Sequence, residues 1–177
     1  RETVFRGTPK ENWKMFLRVW FTYIGARDQD IPHLSKQVYT KHREGTLWNL
    51  LEPTARQTFL LLSQQGFRLG IISNANGEVT DVMKKKSIDH FFECIVDSGR
   101  VGVEKPDAKI YNHALEQLQV QPENCLYVGD HYDNDILGAR EVGMHPVLLD
   151  PYDVVAEDDV TKIKVLADLV NAGAYLG

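Results

Sequence analysis

The chain has 177 residues and carries 20 Lys+Arg against 25 Asp+Glu, a formal net charge of −5. That length suits one domain, or a domain with a small appendage, and is enough to bury a proper core. The mild acidity, with no basic block, argues against a nucleic-acid partner, and no apolar run approaches the ~20 residues of a membrane span or forms a signal peptide within Arg1 to Gly25.

In chain order, Thr8-Pro9-Lys10-Glu11 has a capping-box pattern with Pro at the first helical position. It opens a helix through Trp13, Phe16, Leu17, Trp20, Phe21 and Ile24, which Gly25 stops. This aromatic stripe reads as packing surface rather than a cofactor box. A second helix follows Pro32, carries Leu34, Val38 and Tyr39, and ends near Gly45. From Pro53 the pattern alternates. A helix over Pro53 to Gln65 precedes a strand over Phe67 to Ile72, and a helix through Val79, Val82 and Met83 leads to a strand at Cys94 to Val96. The amphipathic run Asp107 to Leu118 places Ile110, Tyr111, Ala114, Leu115 and Leu118 on one face. A strand at Cys125 to Val128, a helix over Asp133 to Val142 and a strand at Pro146 to Leu149 follow. Thr161 to Val165 reads as a short strand, and Leu166 to Val170 as a closing helix. Strands alternating with helices of this length predict βαβ units and a parallel sheet, so the fold class is α/β. Cys94 and Cys125 sit in apolar strand-like runs and read as buried, reduced residues of a cytoplasmic protein.

Three polar clusters fall at strand ends or in the loops after them, where open α/β sheets place their ligands. Ser73-Asn74 could offer a hydroxyl and an amide to an anion, or could be ordinary turn residues. Lys105, before the amphipathic helix, could meet a phosphate or be a solvated charge. In Leu126-Tyr127-Val128-Gly129-Asp130 to Asp135, an apolar strand runs through a glycine into Asp130, Asp133 and Asp135. Mg²⁺ takes one or two carboxylates plus water and phosphate oxygens, so Asp130 and Asp135 suit such a site; they equally suit an acidic helix N-cap. His131 and Tyr132 within that loop are candidates for substrate contact or for plain solvation. Hydroxyl, lysine and paired carboxylates together are what phosphoryl transfer requires.

Ile71-Ile72-Ser73-Asn74, then Lys105-Pro106, then Gly129-Asp130 with Asp135 resemble the second, third and fourth motifs of the haloacid dehalogenase superfamily. The residues around them agree, from Lys105-Pro106-Asp107 to Ile110-Tyr111, and from Asn134-Asp135 through Gly138-Ala139-Arg140 to Gly143-Met144. The resemblance implies a three-layer Rossmann-like parallel sheet with a helical cap, residues 1–50 forming part of the cap and 51–177 the core. It implies that Ser73 binds the transferring phosphoryl group with Asn74 adjacent, and that Lys105 neutralises charge on phosphate and nucleophile. It further implies that Asp130 holds Mg²⁺, that Asp135 supports it, and that Asp133 faces solvent. Halogen-removing members lack the paired acids, so the implied activity is a Mg²⁺-dependent phosphatase acting on a small phosphorylated substrate.

One family element is missing from the sequence. The first motif, a strand ending in Asp-x-Asp, supplies the nucleophile. Asp28-Gln29-Asp30 follows a helix, Thr3-Val4-Phe5 leads to no carboxylate, and Asp150 to Asp153 has the wrong spacing. That strand would lie mid-sheet, and its loss would leave backbone groups of its neighbours unpaired at about 1–3 kcal/mol for each one buried. The expectations are an N-terminal segment outside this sequence, direct pairing of the flanking strands, or a strand from a second chain by self-association. The chain alone is then expected to be inactive. A non-catalytic binding or interaction protein of the same family likeness is the alternative, and a dehalogenase is a distant third.

Overall fold

Pro9 opens the first helix, α1 (Pro9–Tyr23), where its missing N–H costs nothing, and Gly25 at φ +84° turns the chain away. The computed structural model describes residues 9–43 and 50–175, so the expectations at Thr8, at Thr3 to Phe5 and at Gly45 lie outside the described residues. A second helix, α2 (Ile31–Arg43), starts with Ile31 and takes Pro32 into its first turn rather than following it. Leu17 and Phe21, one helical turn apart on α1, are buried with Ile31, and Ala26, Leu34 and Val38 pack against them. Phe16, Trp20 and Ile24 stay exposed, so only part of the aromatic stripe forms the core of this unit. Asp28-Gln29-Asp30 is the link between the helices, with Asp30 paired to Arg27 at 2.7 Å. It follows no strand, as its surroundings in the sequence indicate.

The two helices belong to one compact unit, Arg1–Leu51, and the remainder, Glu52–Gly177, forms another. In the second unit, helix α3 (Ala55–Gln64) precedes strand β1 (Leu69–Ser73), and helix α4 (Val79–Lys85) precedes strand β2 (Phe92–Asp97). A single turn, α5 (Ser98–Val101), and helix α6 (Ala108–Leu118) lead to strand β3 (Leu126–Gly129). A π-helical segment, Tyr132–Leu137, runs into helix α7 (Gly138–Glu141), followed by strands β4 (His145–Leu149) and β5 (Thr161–Ile163). A 3₁₀ stretch, Leu166–Tyr175, stands where the sequence suggests a closing α-helix.

Among the described residues all strand pairs are parallel. β1 pairs with β2, and β3, β4 and β5 form a separate sheet in that order. Alternation along the strands assigns two faces. Cys94 and Val96 of β2 and Tyr127 of β3 pack with Ile110, Tyr111, Ala114 and Leu115 of α6 and Ala139 of α7. On the other face, Leu69 of β1 and Leu126 and Val128 of β3 pack with Leu62 of α3, Val147, Ile163 and Leu169. Each apolar layer therefore draws residues from both sheets, giving the three-layer α/β arrangement. The sheets share two layers of side chains and no hydrogen-bond ladder. Direct pairing of β1 with β3, one of the expectations, does not occur.

Two smaller expectations also change. Cys94 is buried, but Cys125 is only half-buried, because it leaves the 3₁₀ turn Pro122–Asn124 just before β3 begins and its Sγ–H reaches back to the Gln121 carbonyl. Both thiols are free, and burial raises the pKa of each. Asp150 is 4% exposed and its carboxylate accepts Val155 N and Val154 N, each at 3.0 Å, which holds its pKa below the usual range. It closes the turn after β4, a structural use for the Asp150 carboxylate.

Candidate functional site

Parallel strands of a βαβ unit run in one direction, so the polar residues that follow β1, β2 and β3 gather at one end of the second unit. Ser73, the last residue of β1, is half-buried and pairs in register with Asp97 of β2. Asn74 follows at the surface, and its side chain is committed: Oδ1 accepts Lys105 N at 2.7 Å and Nδ2 donates to Lys105 O at 3.0 Å. Both backbone polar groups of Lys105 are thus held from the end of β1. The Lys105–Pro106 peptide bond is cis.

The Lys105 side chain runs inward. Its ammonium donates to Asp135 Oδ1 at 2.6 Å and to the Tyr127 hydroxyl at 3.2 Å, with side-chain exposures of 13% for Lys105 and 3% for Asp135. Charges removed from water to this degree must be paired, and these are. Asp135 also accepts Tyr127 Oη–H on Oδ1 at 3.1 Å and His131 N on Oδ2 at 2.9 Å. Burial, and next the Asp135 charge, push the Tyr127 hydroxyl far above its ordinary pKa, so it remains a donor. Tyr111 is raised by the same two causes, and its hydroxyl donates to the Asn134 carbonyl.

Asp130 is exposed at the end of β3, and Asp133 is exposed as well. Among the described residues, no group of three or more His, Cys, Asp or Glu side chains is placed to hold a metal ion. The helix expected over Asp133 to Val142 opens instead with a wide π turn. The π turn coincides with the return of Asp135 to His131 N and Lys105, and such turns are frequent at functional sites. The close approach behind it needs glycine: a Cβ on Gly129 would lie 2.3 Å from Asp135 Cβ and 2.6 Å from its Oδ2. Gly129→Ala is therefore expected to displace the carboxylate from Lys105 and lower stability by about 1–3 kcal/mol, read from urea denaturation. His131 and Tyr132 both have bonding roles here. His131 Nδ1 accepts Asn134 N at 3.2 Å, and the Tyr132 hydroxyl donates to Asp159 Oδ1 at 2.8 Å, where Arg140 also binds.

The structure thus joins Asn74, Lys105 and Asp135 by direct bonds, with Ser73 beside Asn74, while Asp130 stands apart at the strand end. Three contributing residues are not legible as such in the sequence. Asp97, 1% exposed, accepts Gly77 N at 2.9 Å, Val79 N at 3.0 Å and Gly99 N at 3.0 Å. Ser98 Oγ accepts Ala75 N at 3.0 Å and donates to Ala75 O at 3.1 Å. Together they fix the loop that follows Ser73-Asn74. Asp97-Ser98-Gly99 after an apolar run carries a local capping signal, which the Gly99 N bond satisfies; the bonds to residues 75–79 have no such signal. Tyr127, the third, looks like any aromatic strand residue.

Residues 11–149 match the haloacid dehalogenase-like hydrolase family. Haloacid dehalogenase-like hydrolase domain-containing protein 3 of Bos taurus is 30% identical over 176 residues, covering 96% of this chain and 70% of that protein. Glyceraldehyde 3-phosphate phosphatase of Pyrococcus furiosus is 39% identical over 119 residues, covering 67% of this chain and 49% of that one. The chain therefore spans about half to 70% of such relatives. Among solved structures, a HAD phosphatase from Thermococcus onnurineus superposes with a TM-score of 0.65 at 25% identity, covering 69% of this chain and 57% of that one. The putative HAD-hydrolase YfnB of Bacillus subtilis, described as magnesium-bound, reaches 0.74 at 22% identity, covering 94% of this chain and 73% of that one, and shares the fold. With a family match that takes in every strand from β1 to β4 and the whole Asn74–Lys105–Asp135 constellation, the chain belongs to the haloacid dehalogenase-like hydrolases.

Proposed function

We propose that this chain is the larger part of a Mg²⁺-dependent phosphatase acting on a small phosphate ester, the class named for its Pyrococcus relative. The observation that carries the reading is the bonded series Asn74–Lys105–Asp135, which ties the end of β1 and the turn after β3 to one buried ammonium. Lysine has three N–H donors, and Asp135 and Tyr127 take two, so one remains for a phosphoryl oxygen. Ser73 donates its hydroxyl to the same group, with Asn74 adjacent. The donor set fits Mg²⁺ as a hard cation that keeps most of its water: Asp130 is exposed, and Asp135 Oδ2 accepts a single protein N–H. Asp130 would hold the ion directly and Asp135 would support it; the ion would neutralise charge on the phosphoryl oxygens.

The nucleophilic carboxylate is assigned to a strand between β1 and β3; among the described residues no strand stands there. The support is that β1 and β3 are unpaired with each other while sharing both apolar layers. The 1–50 segment is then part of the helical cap, the protein works in the cytoplasm, and the 177 residues alone do not turn over substrate. Without that strand, the open edges would favour self-association. Among the described residues no helix is long and apolar enough to cross a membrane.

Calorimetric titration of the chain with Mg²⁺ tests the metal assignment. Asp130→Asn is expected to weaken binding at least about tenfold, or about 1.4 kcal/mol. Unchanged affinity removes Asp130 from the role. The lack of a strand-borne Asp-x-Asp in the sequence favours a second reading, a non-catalytic haloacid dehalogenase-like binding or interaction protein. Steady p-nitrophenyl phosphate hydrolysis by this chain, abolished by EDTA, would eliminate that reading.

A further inference from the structure

Alternation along β3 sends Leu126 and Val128 to the α3 face and Tyr127 to the α6 face, where its neighbours in the core are apolar or aromatic. A phenylalanine would satisfy that packing equally well. The hydroxyl instead meets two charged groups, Lys105 Nζ at 3.2 Å and Asp135 Oδ1 at 3.1 Å. The direction of both bonds follows from the chemistry of the partners: an ammonium has no acceptor, so Lys105 donates to the phenol oxygen; a carboxylate has no donor, so the phenol donates to Asp135. With the 2.6 Å Lys105–Asp135 contact, the three groups close a ring of bonds, each member holding the other two. The phenol ring is itself fixed, standing edge-on to Tyr111 with centroids 5.2 Å apart and planes at 63°, and Lys105 Nζ lies 5.9 Å from its centroid.

We infer that Tyr127 is a positioning residue for Lys105, its hydroxyl fixing the rotation of the ammonium so that the third N–H has one direction. The carboxylate alone opposes turning about the Cε–Nζ bond with one hydrogen bond; a second acceptor at a fixed angle makes each turn break two, and so raises the barrier. Asn74 fixes the backbone end of the same residue, so Lys105 is held at both ends. That the directed N–H serves a phosphate rests on the reading proposed above; the positioning itself does not.

The test is ¹⁵Nζ-detected NMR of the whole chain in cold, mildly acidic buffer, without phosphate or metal. The Lys105 ammonium should give a persistent signal while exposed lysines such as Lys109 exchange away. Tyr127→Phe should speed its hydrogen exchange about fivefold, the loss of one hydrogen bond. Tyr111→Phe removes a neighbouring hydroxyl that bonds Asn134 instead, and should leave the Lys105 signal as it was. Equal effects of the two variants, or none from Tyr127→Phe, would overturn the inference. If Tyr127→Phe fails to fold, the wild type decides: a slowly exchanging Tyr127 hydroxyl proton with cross-relaxation to the Lys105 ammonium upholds the inference, and its absence overturns it. Since no phosphate enters the measurement, failure to bind phosphate would count against the phosphatase reading alone.

Discussion

Asp135→Ala is expected to lower the unfolding free energy by about 3–5 kcal/mol, the loss typical of a buried ion pair stripped of one partner. The reason is the ammonium left behind. Lys105 is 13% exposed and its backbone is pinned to Asn74, so its side chain cannot simply swing into water. The Tyr127 hydroxyl and His131 N lose an acceptor in the same step. Most of the loss should therefore be recovered by removing the other charge. In a Lys105→Met, Asp135→Leu double variant the stranded charge is gone, and a double-mutant cycle should show a coupling of a few kcal/mol. Urea denaturation measures both, with an unchanged m-value showing that the unfolded state is not involved. Additive effects of the two single substitutions would contradict the buried pair.

Asp97→Ala should come close behind, at about 3 kcal/mol or more. One carboxylate accepts three backbone N–H groups, from Gly77, Val79 and Gly99, and an orphaned buried donor costs about 1–3 kcal/mol. Water will reach some of these donors once the side chain is cut back, which keeps the sum nearer the lower bound. Asp97→Asn retains one acceptor oxygen and should lose less. The more diagnostic readout is local. Amide exchange at Gly77 and Val79 should accelerate well before that of β4, whose core residues Val147 and Leu148 are 1% and 0% exposed. The loop held by Asp97 follows directly on Ser73 and Asn74, so a lesion in β2 should reach residues more than twenty positions earlier in the chain.

The parts of this fold legible in the sequence are those that local rules govern. The alternation of apolar runs and amphipathic helices foretold each of the first four strands, because period-2 and 3.6-residue patterns are imposed by the backbone itself. Ser73, Lys105, Asp130 and Asp135 are each ordinary for a turn or a helix start, and stood out only because all lie at strand ends or in the loops after them, in the family's motif order. The rest depends on distant partners. Nothing local in Asn74 says that its amide closes on Lys105, thirty-one residues later, and nothing local in Tyr127 separates a packing ring from one whose hydroxyl joins an ion pair. The π turn at Tyr132–Leu137 escaped the helical pattern as well: it coincides with the bonding of Asp135 to groups outside the segment. The side-by-side sheets were foreseen only as a gap in the motif order, and that they share two apolar layers without a common ladder required coordinates.

The double tether on Lys105 bears on the energetics of any encounter with an anion. A free lysine side chain surrenders about 1.5–2 kcal/mol of rotamer entropy when it is immobilised, and a surface lysine does so at the moment it meets its ligand. Here that loss falls on the folding transition, since the amide of Asn74 and the acceptors Asp135 and Tyr127 immobilise the residue through the protein's own bonds. An incoming phosphate would then bind to a cation that has no disorder left to lose, and its affinity would reflect contact rather than rearrangement.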